Sequence, residues 1–104
     1  MSRGPDAATL IERALIAQAL AAGCRVEIAA SDSRRWASAT FIGARHAIRL
    51  SCARSAALET WLSELPEADF ALRGHLVADL TVERVHREGD AVTVSLEILT
   101  VEER

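Results

Sequence analysis

SRRWASATFIGARH, Ser33 to His46, is the stretch on which the fold turns. It gathers Arg34, Arg35, Trp36, Arg45 and His46 in a chain whose formal net charge is −3. Its one glycine, Gly43, stands beside Ala44 and reads as a turn between two strands within residues 36–52. A two- or four-residue loop centred there sets Phe41 opposite His46, Ala39 opposite Ile48 and Ala37 opposite Leu50. Those residues then share a core face, whereas a one-residue slip would turn one strand over. The outer face of this predicted hairpin carries Trp36, Ser38, Thr40, Arg45, Ala47, Arg49 and Ser51.

The flanking segments extend the pattern. Cys24, Val26, Ile28 and Ala30 alternate with Arg25 and Glu27, which predicts a half-buried strand over 24–30. Ser31-Asp32-Ser33 is turn chemistry. Residues 6–22 read as a helix, with Pro5 suited to its first turn and Gly23 to the position past its end. Residues 54–65 read as a second helix, with Ser55 as N-cap, Leu58, Trp61, Leu62 and Leu65 on one face, and Pro66 as the stop. Residues 72–101 form a long hairpin, turning at Arg87-Glu88-Gly89. In it Leu76, Ala78, Leu80 and Val82 share one face, and Val92, Val94, Leu96 and Ile98 do the same on the second strand. The expectation is one α+β domain over 1–104, a two-layer sandwich in the order α-β-β-β-α-β-β. Its five-stranded, mainly antiparallel sheet would carry two helices on one face.

A chain of 104 residues, half of them hydrophobic, can bury a core without metals or disulfides. The basic residues are all Arg, and they are unevenly spread. Residues 24–54 hold six Arg against Glu27 and Asp32, while residues 55–104 hold four Arg against eleven acids. That asymmetry permits pairing inside the chain or between two copies, where it can choose an orientation. Cys24 and Cys52 form no metal-binding or redox spacing. No apolar run is long enough to span a bilayer, and residues 1–23 lack the pattern of a signal peptide. A cytoplasmic location with both thiols reduced is the expectation.

Two surfaces stand out. Arg34, Arg35, Trp36, Arg45 and Arg49 form a candidate anion or partner surface, with Trp36 and Arg49 near enough for a cation–π contact. Leu10, Ile16, Leu20, Val77, Leu99 and Val101 are apolar residues left off the helix stripe and off the core face of the hairpin. They form a candidate self-association surface. His46, His75 and His86 fit no metal motif. No catalytic triad, nucleophile elbow or phosphate-cradling loop occurs, so no catalytic residue and no cofactor are expected.

The stretches WASATFIGARH and RGHLVADL resemble segments of small uncharacterised proteins of sphingomonad-type alphaproteobacteria, which bring no assigned function. In topology, helix, three strands, helix and two strands is similar to the type III secretion chaperone fold, whose members are small, acidic, dimeric and bind a partner segment. That fold has a further C-terminal helix, whereas this chain reads LTVEER to its end. The first 65 residues are also similar in order to double-stranded RNA-binding domains, but their basic cluster is missing at ARSAALET. Asp32-Ser33-Arg34-Arg35 reverses the motif order of PilZ domains and lacks its glycine. The expectation is a small, non-catalytic, homodimeric accessory or protein-interaction module, with a second copy, or another protein or peptide, as partner. The alternative is a module taking an anionic ligand or nucleic acid on the Arg/Trp face, and the single stacking aromatic there argues against nucleic acid.

Overall fold

A computed structural model describes residues 6–103. Helix α1 (Ala7–Ala21) is followed by strands β1 (Val26–Ala37) and β2 (Ile42–Ala53). Helix α2 (Ala56–Glu64) and a short 3-10 turn (Leu65–Glu67) lead to β3 (His75–Glu88) and β4 (Ala91–Glu102). The sheet is antiparallel throughout, in the order β1-β2-β4-β3. Each hairpin pairs with itself, and the α2 connection carries β3 to the far edge so that β4 lies against β2.

Both helices have defined ends. The Asp6 carboxylate accepts from the Thr9 amide at 2.9 Å, capping α1, and this holds its pKa below the ordinary carboxylate range. At the other end Gly23 takes φ +96°. The Cys24 amide then reaches Ala19 O at 2.9 Å and the Gly23 amide reaches Leu20 O at 3.0 Å. This is the paired C-terminal bonding of a Schellman motif, and it favours glycine at that position. The expected helix-starting role of Pro5 lies outside the described residues. Ser55 caps α2 as expected, its hydroxyl accepting from Leu58 N at 3.0 Å.

A single core joins the helices to one face of the sheet. Ile11, Leu15 and Ala19 of α1 and Leu58, Trp61 and Leu62 of α2 pack with Val26, Ile48, Leu50, Leu80, Val92, Val94, Leu96 and Ile98. Cross-strand register places those strand residues on the same side, so both helices cover that side. The opposite, outer face has no layer over it among the described residues.

The sheet has four strands, not five, because a single turn stands between β1 and β2 where two turns are expected, at 31–33 and at Gly43-Ala44. The turn of the first hairpin is Ser38-Ala39-Thr40-Phe41, closed by the Ser38 amide on Phe41 O at 2.8 Å. The Ser38 hydroxyl accepts from the Phe41 amide at 3.0 Å and the Thr40 amide at 3.3 Å. A serine side chain thus supplies the turn chemistry. Phe41, expected in the core, is 53% exposed in this loop, and Ala37 and Ala39 are also exposed. His46, Ile48 and Leu50 do face the core, opposite Ser33, Ser31 and Ile28.

Ser31-Asp32-Ser33 is not a turn but the middle of β1. Its polar side chains are used by neighbours: Ser31 Oγ donates to Glu12 at 2.8 Å, and Ser33 Oγ bonds His46. A bulge between Ile28 and Ala30 reverses the facing of β1, so that Trp36 points outward. Two more bulges, at Val77/Asp79 and Val82/Arg84, correct the expected face of β3. Val77, Leu80, Val82 and Val85 turn inward, and Leu76 turns outward. The last hairpin turns on two residues, Gly89 at φ +60° and Asp90, rather than on Arg87-Glu88-Gly89; a positive φ at the first position alone is the II′ pattern.

Gly43 is a packing glycine. A Cβ there would meet the Thr100 carbonyl oxygen and would sit 2.8–2.9 Å from the Trp36 indole, which lies across it. Substituting Gly43→Ala should therefore destabilise the fold by about 1–3 kcal/mol through overpacking, read as a lower urea midpoint. An undiminished midpoint would contradict the close approach of β2, β4 and Trp36.

Candidate functional site

The outer sheet face is built in rows set by the strand register. One row reads Trp36, Gly43, Val101, Leu76 from β1 to β3. The next reads Arg34, Arg45, Leu99, Asp79; then Asp32, Ala47, Glu97, Thr81; then Ala30, Arg49, Ser95, Arg84. The first row holds the apolar end. Leu76 is 54% exposed, and it lines a hollow of about 430 Å³ with Phe41 and Val101. Farther along, the small side chains of Ala30, Ala47 and Ser95 leave a second hollow of about 270 Å³, rimmed by Asp32, Arg49 and Glu83.

The structure divides the expected Arg/Trp surface. Arg34, Trp36, Arg45 and Arg49 lie on the outer face, whereas Arg35 pairs with Ala44 on the helix side. Trp36 and Arg49 are not neighbours, because Arg49 stands opposite Ala30, six residues from Trp36 along β1. The Arg charges are mostly engaged: Arg45 Nη1 donates to Glu97 Oε1 at 2.8 Å, Arg34 lies 3.8 Å from Asp32, and Arg35 lies 3.9 Å from Glu102. Arg49 has no ion-pair partner among the described residues. A phosphate would have to compete with carboxylates already in place, which weakens this surface as an anion site.

The expected self-association set is divided too. Ile16 and Leu20 are exposed on α1, at 40% and 58%. Leu10 and Val77 instead pack against the core. Leu99 and Val101 lie half-buried on the outer face, beside Trp36 and Leu76. Leu76 and Phe41 were missed as surface residues. Their signals were hidden by the β3 bulges and by a loop that contains no glycine.

A pocket of about 300 Å³ opens on the helix side, at the N-terminal end of α1. Its floor is His46, 1% exposed. Thr100 Oγ1 donates to Ala44 O at 3.3 Å, so it accepts from His46 Nε2–H at 2.9 Å. His46 Nδ1 is then the acceptor for the Ser33 hydroxyl at 2.7 Å. This chain satisfies both ring nitrogens of a neutral imidazole. Burial lowers the His46 pKa, against the smaller opposing pull of Asp6. Asp6, Arg35, His75 and Glu102 line the mouth. His75 Nδ1 is buried there without a partner among the described residues.

The Ser33–His46 contact has the reach of a nucleophile and its base. The imidazole's other nitrogen, however, donates to a hydroxyl and not to a carboxylate. Nothing hydrogen-bonded to the ring would stabilise the imidazolium that a general base must become. The chain of bonds therefore reads as a polar plug that ties β1, β2 and β4 together.

Cys24 is buried and Cys52 half-buried, both as free thiols. Burial raises both thiol pKa values, so neither is an activated nucleophile. Among the described residues no group of three or more His, Cys, Asp or Glu side chains is placed to hold a metal. No helix there is long and apolar enough to cross a membrane. Comparison of the chain with protein-family models, curated proteins and solved structures gave no match. The three strands between helices that made it similar to secretion chaperones and RNA-binding domains are two strands in the structure.

Because the His46 pKa lies below the ordinary 6.5, the unfolded chain binds a proton there that the folded chain does not. The stabilisation is fully present above 6.5 and is lost as pH falls from 6.5 through the depressed folded value. Urea midpoints measured between about pH 8 and pH 5 should fall more steeply for the native protein than for His46→Gln, which cannot titrate. Equal slopes would show that His46 is not held neutral.

Proposed function

We propose that the protein is a small, non-catalytic interaction module that self-associates through the outer face of its sheet. The observation that supports this reading is the bare outer face with its apolar end: Trp36, Leu76, Leu99 and Val101, continued by Phe41 in the adjoining loop. Antiparallel sheets do leave one face in water, but that face then alternates to polar residues. Here one whole row, Trp36, Gly43, Val101 and Leu76, contains no charged side chain and no polar side-chain group but the indole N–H. A contiguous apolar patch of this kind marks a contact surface. The carboxylates beside the Arg side chains and the lack of a poised general base point the same way, toward protein contact and away from phosphate binding or catalysis.

Two single substitutions separate this surface from the exposed side of α1. Sedimentation velocity over a concentration series should show a dimer for the native chain and for Leu20→Glu, and a monomer for Leu76→Asp, which sets a carboxylate in the apolar row. Circular dichroism would confirm that both variants are folded. A native chain that stays monomeric at about 100 μM, roughly a hundredfold above a micromolar dissociation constant, would sink the reading. So would a dimer broken by Leu20→Glu and indifferent to Leu76→Asp.

A further inference from the structure

The outer face carries its charge in halves. Within the four rows described above, β1 and β2 present Arg34, Arg45 and Arg49 against Asp32. On the other side β4 and β3 present Glu97 and Asp79 against Arg84, with Glu83 in the bulge beside Arg84. One half is net basic and the other net acidic, and with Arg45 and Glu97 paired across the seam the charges left to meet a second copy lie mainly toward the two edges.

Two such faces can meet about a two-fold axis lying in the interface in either of two simple ways. An axis across the strands sets β1 on β1 and β2 on β2, so the basic half meets a basic half. An axis along the strands, through the β2/β4 seam, sets β1 over β3 and β2 over β4. The basic half then meets the acidic half, and complementary charge selects the second arrangement. The apolar row agrees with it. Read from opposite ends, Trp36, Gly43, Val101, Leu76 places Trp36 over Leu76 of the second copy and the flat Gly43 under Val101 of the second copy. In the next row Arg34 meets Asp79 of the second copy.

Size is adequate. Strands about twelve residues long at about 3.3 Å per residue, four abreast at about 4.8 Å, offer a footprint of roughly 750 Å². A stable complex covers about 800 Å² on each partner. Aligned packing of two twisted sheets at about −30° keeps facing strands in contact over the centre of such a face.

We infer that two copies dimerise face to face about an axis parallel to the strands, with Arg34 of each opposite Asp79 of the other and Trp36 of each against Leu76 of the other. This rests on the self-association reading and specifies its geometry. In one chain Arg34 and Asp79 occupy opposite edge strands, with β2 and β4 between them. Both side chains are exposed, and the Arg34–Asp32 contact within one chain is a surface pair of little worth to stability, so reversing either charge spares the core and sets like charges together twice in the dimer.

The test is a charge-exchange experiment by sedimentation equilibrium at low salt. Arg34→Asp alone and Asp79→Arg alone should each dimerise about tenfold more weakly than the native chain. An equimolar mixture of the two variants should recover native-like affinity as a mixed dimer, as should the double variant. Single variants that dimerise as the native chain does would overturn this geometry, as would weakened singles that fail to recover on mixing. Loss of the dimer in Leu76→Asp, which sets a carboxylate in the apolar row, tests the outer face separately, so a failure of the axis is distinct from a failure of the surface.

Discussion

The contact on which the structure depends is the triple approach of Trp36, Gly43 and Thr100. The indole lies across a position where no side chain fits, and the β4 backbone closes the other side of it. That contact pins β1 to β2 and β2 to β4 at the open end of the sheet. Register is weakly specified wherever both faces of a strand are polar, and β1 from Ala30 onward is exposed apart from half-buried Trp36. Trp36 over Gly43 supplies a packing constraint there, and the Ser33–His46–Thr100 chain supplies a hydrogen-bonded one on the reverse side. Together they determine which residues look outward.

Once the rows are set, the properties of the outer face follow. Aligned register gathers Trp36, Val101 and Leu76 into one apolar row and sorts most of the Arg to one half and most of the carboxylates to the other. The three bulges matter as much as the pairing. The one in β1 sends Trp36 outward, and the two in β3 bring Val77 and Val85 to the core while exposing Leu76. The bulges in β3 thus bring apolar residues to the core, while the bulge in β1 adds Trp36 to the outer surface and turns Ser31, Ser33 and Arg35 to the helix side.

Much of this was legible beforehand. The two helices, the Ser55 cap, the core faces of β2 and β4, and the inward position of His46 follow from periodicity and cap chemistry. The number of strands did not. Gly43 carries the same signal whether it bends a chain or lies under an indole, and Ser38 closes its turn with a hydroxyl that pattern alone does not reveal. Ser31, Asp32 and Ser33 have turn chemistry but stand in an edge strand, because Glu12 and His46 use two of their hydroxyls. Trp36, from the expected Arg/Trp surface, and Leu99 and Val101, from the expected self-association set, lie on the outer face as the pattern implied, while Arg35 crosses to the other face and Phe41 and Leu76 are exposed. Bulges decide those exchanges, and a bulge depends on tertiary pairing that no single strand encodes.

The most direct measurement is an isotope-filtered nuclear Overhauser experiment on an equal mixture of labelled and unlabelled chains, which records contacts between copies only. Cross-peaks are expected from the Trp36 ring of one copy to the Leu76 methyls of the other, with further peaks at Leu99 and Val101. Cross-peaks confined to Ile16 and Leu20 of α1, or none at concentrations where the chain sediments as a dimer, would contradict face-to-face dimerisation.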